Sequence, residues 1–154
     1  MNSENFFDSY IINNESLSTE TVSALIRTTT DIFPEYLDEK KLLNYSSKLT
    51  KFGRFITIRK QGDNKIVSVI AYYSNTPPLC YISFVCVIPE FKRKGLSQIM
   101  LSFLENYARQ VGLNVIQLEV RKNNESAINA YLKSGFVISE DASINSFYMT
   151  KDLN

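Results

Sequence analysis

The chain contains no histidine. That absence removes Ser-His-Asp and Cys-His catalysis, imidazole-bound zinc and any imidazole base, so proton transfer falls to Glu, Asp, Tyr, Lys, Cys, a terminus or water. Cysteine is scarce: Cys80 and Cys86 stand six positions apart on what reads as one strand, which holds their side chains too far apart to bridge. They read as small, reduced core residues of a cytosolic protein, and no metal site is expected. Neither sign of charge dominates, with 17 Lys and Arg against 16 Asp and Glu. That balance offers no concentrated basic surface for nucleic acid and none for an anionic membrane. Long apolar runs are missing too. The longest, around residues 66–73, is far too short to span a bilayer, and the first eight residues lack the basic region and apolar stretch of a secretory signal. A cytoplasmic location is expected. Internal repeats, low-complexity tracts and domain linkers are also absent.

What is present suits one globular domain over residues 1–154, 44% hydrophobic and 21% charged. A chain of this size buries roughly two-thirds of its unfolded surface without disulfide staples. Residues 6–12 are apolar β-formers and predict a first strand. Ser18 is a natural N-cap, followed by Val22, Leu25, Ile26, Ile32 and Phe33 at helical spacing until Pro34 breaks the run. Asp38 opens a second helix with Leu42, Tyr45, Leu49 and Phe52 in one stripe, closed by Gly53. Residues 55–60 and 65–74 predict a hairpin around Gln61-Gly62-Asp63-Asn64, and residues 80–88 another strand.

From Pro89 the rhythm becomes strand–helix–strand–helix. Residues 97–111 predict a helix striped by Met100, Leu104, Tyr107 and Val111, with Gly112 as its cap. Residues 115–121 predict a strand, 124–134 a helix ended by Gly135, and 145–151 a last strand. Antiparallel strands followed by a βαβα unit predict a mixed-sheet α/β domain.

The loop joining the strand at 80–88 to the next helix reads Glu90-Phe91-Lys92-Arg93-Lys94-Gly95-Leu96. A basic, glycine-containing turn running into a helix N-terminus suits phosphate, because unpaired N–H groups and the positive end of the helix dipole meet there. A plain βα turn with solvated charges competes on even terms. The turn lacks the Gly-Lys-Ser/Thr of a nucleotide P-loop and the three glycines of a dinucleotide fingerprint.

The stretch Val85-Cys86-Val87-Ile88-Pro89-Glu90-Phe91-Lys92-Arg93-Lys94-Gly95-Leu96-Ser97 resembles the acetyl-CoA motif of GCN5-related N-acetyltransferases, Gln/Arg-x-x-Gly-x-Gly/Ala after a strand. Leu118-Glu119-Val120-Arg121 through Asn124, Ala127, Ile128, Tyr131, Gly135 and Phe136 is similar to that family's second block at its spacing. Lys92 and Ser97 depart from the pattern. The resemblance covers residues 81–136; before them only the order of elements fits. It implies a GNAT-like acyl-CoA N-acyltransferase fold, a central mixed sheet flanked by helices and splayed between its fourth and fifth strands. It implies acetyl-CoA as cosubstrate, with the pantetheine arm on backbone groups of Val85, Cys86 and Val87, and the pyrophosphate at Lys92, Arg93, Lys94, Gly95, Leu96 and Ser97. A backbone N–H of the 85–87 segment would meet the oxyanion, and Asn124 would touch the cofactor besides capping its helix.

Tyr131 sits where many members carry a tyrosine that protonates the CoA sulfur; against this, Ala127, Ile128, Tyr131 and Leu132 also read as a core stripe. Glu119 lies twelve residues before Tyr131, the spacing of the base in the ribosomal-protein-type members. In the strand Val115, Gln117, Glu119 and Arg121 share one face, polar where a central parallel strand is normally apolar, which suggests a cleft. A Glu119–Arg121 surface pair is the duller alternative. The acceptor is an amine, its recognition assigned to residues 33–37 and 139–146, where Glu35, Asp38, Glu140 and Asp141 could attract a cation. A non-catalytic acyl-CoA-binding regulatory module and a purely structural domain of the same fold are the competing readings, and a homodimer stays open.

Overall fold

The computed structural model describes residues 8–154. Its strands are β1 (Tyr10–Glu15), β2 (Arg54–Lys60), β3 (Ile66–Thr76), β4 (Leu79–Val87), β5 (Val115–Arg121), β6 (Val137–Asp141) and β7 (Ser146–Asp152). Its α-helices are α1 (Thr19–Arg27), α2 (Glu39–Phe52), α3 (Leu96–Gln110) and α4 (Glu125–Lys133), with 3₁₀ turns at Pro34–Leu37 and Pro89–Phe91. The strands hydrogen-bond in the order β1-β2-β3-β4-β5-β7-β6, a mixed α/β sheet as the element order predicts. Among the described residues no helix is long and apolar enough to cross a membrane.

The chain forms two compact units, one from residues up to Tyr72 with Phe84–Leu101, the other from Tyr73–Ser83 with Ser102–Asn154. In the first unit β1, β2 and β3 form an antiparallel meander. Residues 55–58 of β2 and 66–72 of β3 are buried throughout, so both faces of these strands are covered. The predicted first strand lies later than expected, and Phe6 and Phe7 fall outside the described residues. Its polar end is held by cross-strand partners: Tyr72 donates to Asn14 Oδ1 at 3.0 Å, and Thr57 and Arg59 donate to the Glu15 carboxylate. Arg59 holds that carboxyl below its usual range against the opposing effect of burial.

Ser18 caps α1 as predicted, accepting from Thr21 N–H at 3.2 Å. The helix stops at Arg27, well before Pro34, because three successive threonines follow. The Thr28 and Thr29 hydroxyls donate to the Leu25 and Ile26 carbonyls at 2.6 and 2.7 Å, taking acceptors that a continuing helix would use. Asp38 caps α2 by accepting from Lys41 N–H at 3.1 Å. Leu42 and Leu49 are buried in α2 as expected, together with Ser46, while Phe52 is exposed. Gly53 follows α2 in extended conformation, and a side chain there would come within 2.8 Å of the Leu49 carbonyl oxygen. Close approach, rather than unusual φ, demands glycine at that position.

In the second unit β4 and β5 pair in parallel from Leu79↔Val115 to Ile82↔Leu118. Among the described residues no further pair joins them, although both strands continue. Beside β5, β7 pairs antiparallel along its whole length, and β6 pairs with β7. Ile116, Leu118, Val120, Leu104, Ala108, Phe136 and Met149 make the apolar interior of this unit. Val111, expected in the α3 stripe, lies past the helix end and is 51% exposed. The strand β6 was not anticipated: all five of its residues are exposed, so it has no buried face for a two-residue period to mark.

No residue of α4 is fully buried, and polar bonds tie both of its ends. Asn124 caps its start, accepting from Ala127 N–H at 3.2 Å. At its end the Lys151 ammonium donates to the Ser134 carbonyl at 2.7 Å and to Glu105 Oε1 at 2.9 Å.

Candidate active site

The strand β4 alternates along its length: Cys80, Ile82, Phe84 and Cys86 are buried, and Val85 and Val87 lie on the opposite, half-buried face. The Cys86 thiol sits 3.4 Å from the Thr28 hydroxyl. Burial pushes that thiol up, with Thr28 and the Lys92 charge opposing. Cys86 therefore turns its side chain inward and has only backbone to offer a ligand.

Past the 3₁₀ turn, Arg93 and Gly95 both adopt left-handed conformations, φ +64° and +76°, on either side of Lys94. Such alternation curls the backbone so that its N–H groups converge. The first helical bond of α3 runs from Ile99 N–H to the Gly95 carbonyl at 3.2 Å, so Leu96 and Ser97 N–H have no helical acceptor. A Cβ built on Gly95 would meet nothing within 4 Å, which leaves open space over the turn. Lys92, Arg93, Lys94, Gly95 and Ser97 are exposed, and Leu96 is buried and anchors the helix start. The Lys94 ammonium rests 5.7 Å from the Phe91 ring centroid.

The second unit carries Glu119, Asn124 and Tyr131. Burial alternates along β5 as predicted, with Ile116, Leu118 and Val120 inside and Glu119 and Arg121 exposed on the other face. Glu119 Oε1 accepts from the buried Ser146 hydroxyl at 3.1 Å, and Ser146 Oγ lies 2.8 Å from Ser143 Oγ. Tyr131 is set edge-on to Phe136, with ring centroids 5.5 Å apart, and burial pushes its phenol up to about 12. At neutral pH it holds its proton firmly. A thiolate whose acid titrates near 8.5 would take that proton at a cost of about 5 kcal/mol. A dry site also raises the thiol and narrows that gap.

Residues absent from the sequence reading also line this unit. Tyr81 stands beside Gln117, and Tyr148 lies opposite both Glu119 and Glu140. Burial pushes Tyr81 up to about 12, helped by the charge of Glu119 and then by Tyr148 and Tyr73. The even alternation of β4 could have drawn attention to Tyr81. Nothing local marks Tyr148, whose place follows from sheet register alone. Among the described residues no group of three or more Cys, Asp or Glu is placed to hold a metal ion.

The sequence model of the Acetyltransferase (GNAT) family matches residues 19–136. A curated relative, GCN5-related N-acetyltransferase 6, chloroplastic, of Arabidopsis thaliana, is 36% identical over 102 residues, covering 66% of this chain. The match covers 31% of that relative's length. Among solved structures, PaiA N-acetyltransferase from Thermoplasma acidophilum in complex with coenzyme A superposes with TM-score 0.69 at 21% identity, covering 92% of this chain and 99% of that one. Ard1 from Thermoplasma volcanium superposes with TM-score 0.71 at 20% identity, covering 92% and 97%.

Proposed function

The chain belongs to the GNAT acetyltransferase family, and on that premise we propose that it is an N-acetyltransferase that moves the acetyl group of acetyl-CoA directly to a primary amine. The observation that carries this reading is the turn at the end of β4, where two left-handed residues wind a basic loop into α3 beneath open space. In this reading the pyrophosphate lies against the backbone of Arg93, Lys94, Gly95, Leu96 and Ser97, with Lys92 adding charge. The pantetheine arm pairs with backbone groups of Val85 and Val87 as an added strand would, and Cys86 contributes backbone only. Asn124 touches the cofactor while capping α4.

The amine arrives as an ammonium, and Glu119 takes its first proton. The freed nitrogen attacks the thioester carbonyl, and a backbone N–H of the 85–87 segment meets the oxyanion as the C–N bond forms. The C–S bond then breaks. Tyr131 protonates the departing sulfur and is reprotonated through water by the second amine proton. The products are the N-acetyl amine, the CoA thiol and one proton that Glu119 passes to solvent. What supports Glu119 is its exposure on the polar face of β5 and the hydrogen bond that orients it. The whole chain acts as one catalytic domain, and the two free, buried cysteines suit a reducing compartment such as the cytoplasm.

The test pairs calorimetry with turnover. Gly95→Val places a branched side chain at φ +76° in the space kept open above the turn and should weaken acetyl-CoA binding at least tenfold, about 1.4 kcal/mol. Wild-type affinity in a folded Gly95→Val protein would remove the site. The Lys92 and Ser97 departures favour the alternative of a binding module without catalysis. Acetyl-CoA binding with no CoA release across a panel of primary amines would select it.

A further inference from the structure

One face of the second unit carries a cluster that includes Glu119 and reaches beyond the residues assigned to the transfer. Across β5, β7 and β6 the register aligns Glu119, Tyr148 and Glu140 in one row, which places the Tyr148 ring between two carboxylates. Tyr81 is aligned with Gln117 and so lies diagonal to Glu119, a spacing that long side chains reach across. Its phenol is under the direct electrostatic influence of Glu119, Tyr148 and Tyr73. Glu119 and Glu140 are exposed, and the three tyrosines are half-buried. The Tyr73 hydroxyl is itself buried, which pushes its phenol up, and a hydrogen bond from the Ser83 hydroxyl opposes that push. The charges on or beside this face are few. Arg121 follows Glu119 along β5, and Lys122 is engaged with Asp141 at 3.0 Å.

Carboxylates flanking aromatic rings match one chemistry. An ammonium satisfies the carboxylates by charge and the rings by cation–π attraction. A carboxylate-bearing ligand would meet two like charges here. We propose that Tyr81, Tyr148, Glu119 and Glu140, backed by Tyr73, seat a primary alkylammonium, and that this face selects cationic amines with an unsubstituted alkyl chain over amino acids as acceptors. The seat deepens the acetyltransferase reading and rests on it for its consequence in catalysis. The alkyl chain lies along the rings, and the charge sits between the Glu119 and Glu140 carboxylates.

The probe is n-butylammonium, compared with n-butanol, butyrate and glycine, titrated into full-length protein carrying labelled tyrosine rings. The Tyr81 and Tyr148 ring signals should shift with n-butylammonium and not with the other three. Tyr148→Leu and Glu140→Gln should each weaken binding about threefold, and Tyr148→Phe, which keeps the ring, should stay close to wild type. Glu140 is exposed, so Glu140→Gln gives a reading even where Tyr148→Leu fails to fold. Equal shifts with n-butanol, or wild-type affinity in both weakening variants, overturns the seat.

A second readout is CoA release from acetyl-CoA with n-butylamine as acceptor, where KM for the amine should rise about threefold in Tyr148→Leu. If no amine supports CoA release but the ring shifts follow the stated pattern, the seat stands and the transfer reading falls. If CoA is released at the same KM by wild type and Tyr148→Leu, the seat falls and the transfer reading stands.

Discussion

A phenol pushed up to about 12 is a reluctant acid, and this shapes what Tyr131 can contribute. Its proton is present at any pH where the protein would work, so it is never the group whose ionisation limits the rate there. Removing it should still lower kcat, at the weaker end of general acid effects, about 10²-fold, with little change in KM for acetyl-CoA. Tyr131→Phe tests this under conditions where chemistry limits the rate. The wild-type kcat profile should also run level to about pH 10.5. A wild-type fall near pH 10 that Tyr131→Phe abolishes would mean an ordinary phenol and contradict the burial seen here. At this scale Glu119 was readable from β5 alone, because a period of two assigns each residue to a face. That Ser146 holds its carboxylate was not readable, since the two lie 27 residues apart and meet only through antiparallel register.

Among the elements, α4 depends most on a single polar staple. It buries no residue fully, yet it carries Tyr131, and besides the Tyr131–Phe136 contact it is tied by its caps and by Lys151. Glu105 is 9% exposed, and losing the ammonium leaves its carboxylate nearly enclosed and unpaired. Lys151→Met should lower stability by about 2–3 kcal/mol, read from the urea midpoint. Glu105→Leu combined with Lys151→Met should recover part of that loss, because the stranded charge goes with its partner. Strict additivity of the two single variants would show that the bridge does not hold the helix. The sequence indicated α4 through Asn124 and Gly135. It could not indicate the staple, which joins residues from α3, β7 and the helix end.

Over the whole molecule, three groups raised by burial, one buried and two half-buried, titrate together on the alkaline side. Burial raises Cys80 from 9.0, and Tyr81 and Tyr131 from 10.0, each to about 12. Between those values the unfolded chain has lost protons that the native state retains, so stability falls as pH rises. The contribution is complete below about pH 9 and disappears by about pH 12. Urea midpoints should therefore hold steady from pH 7 to 8.5 and then drop, by about 3–4 kcal/mol at pH 11, counting the half-buried Tyr81 lightly. Cys80→Ala should flatten the first part of that fall. A midpoint unchanged at pH 10.5 would contradict the buried titrations.

What the sequence determined by itself was carried by contiguous residues. Ser18, Asp38 and Asn124 cap helices because a short side-chain acceptor lies next to the N–H groups it satisfies, and the basic turn around Gly95 is complete within a few positions. The alternations of β4 and β5 likewise follow from strand geometry alone. Pro34 suggested a longer first helix, but the Thr28 and Thr29 hydroxyls, whose bonds are also local, end it sooner. Other outcomes needed the folded chain. The edge strand β6 exists only because β7 offers it hydrogen bonds. The row of Glu119, Tyr148 and Glu140 is likewise a product of register, which one strand's sequence cannot specify: a shift by one residue would send Tyr148 to the opposite face.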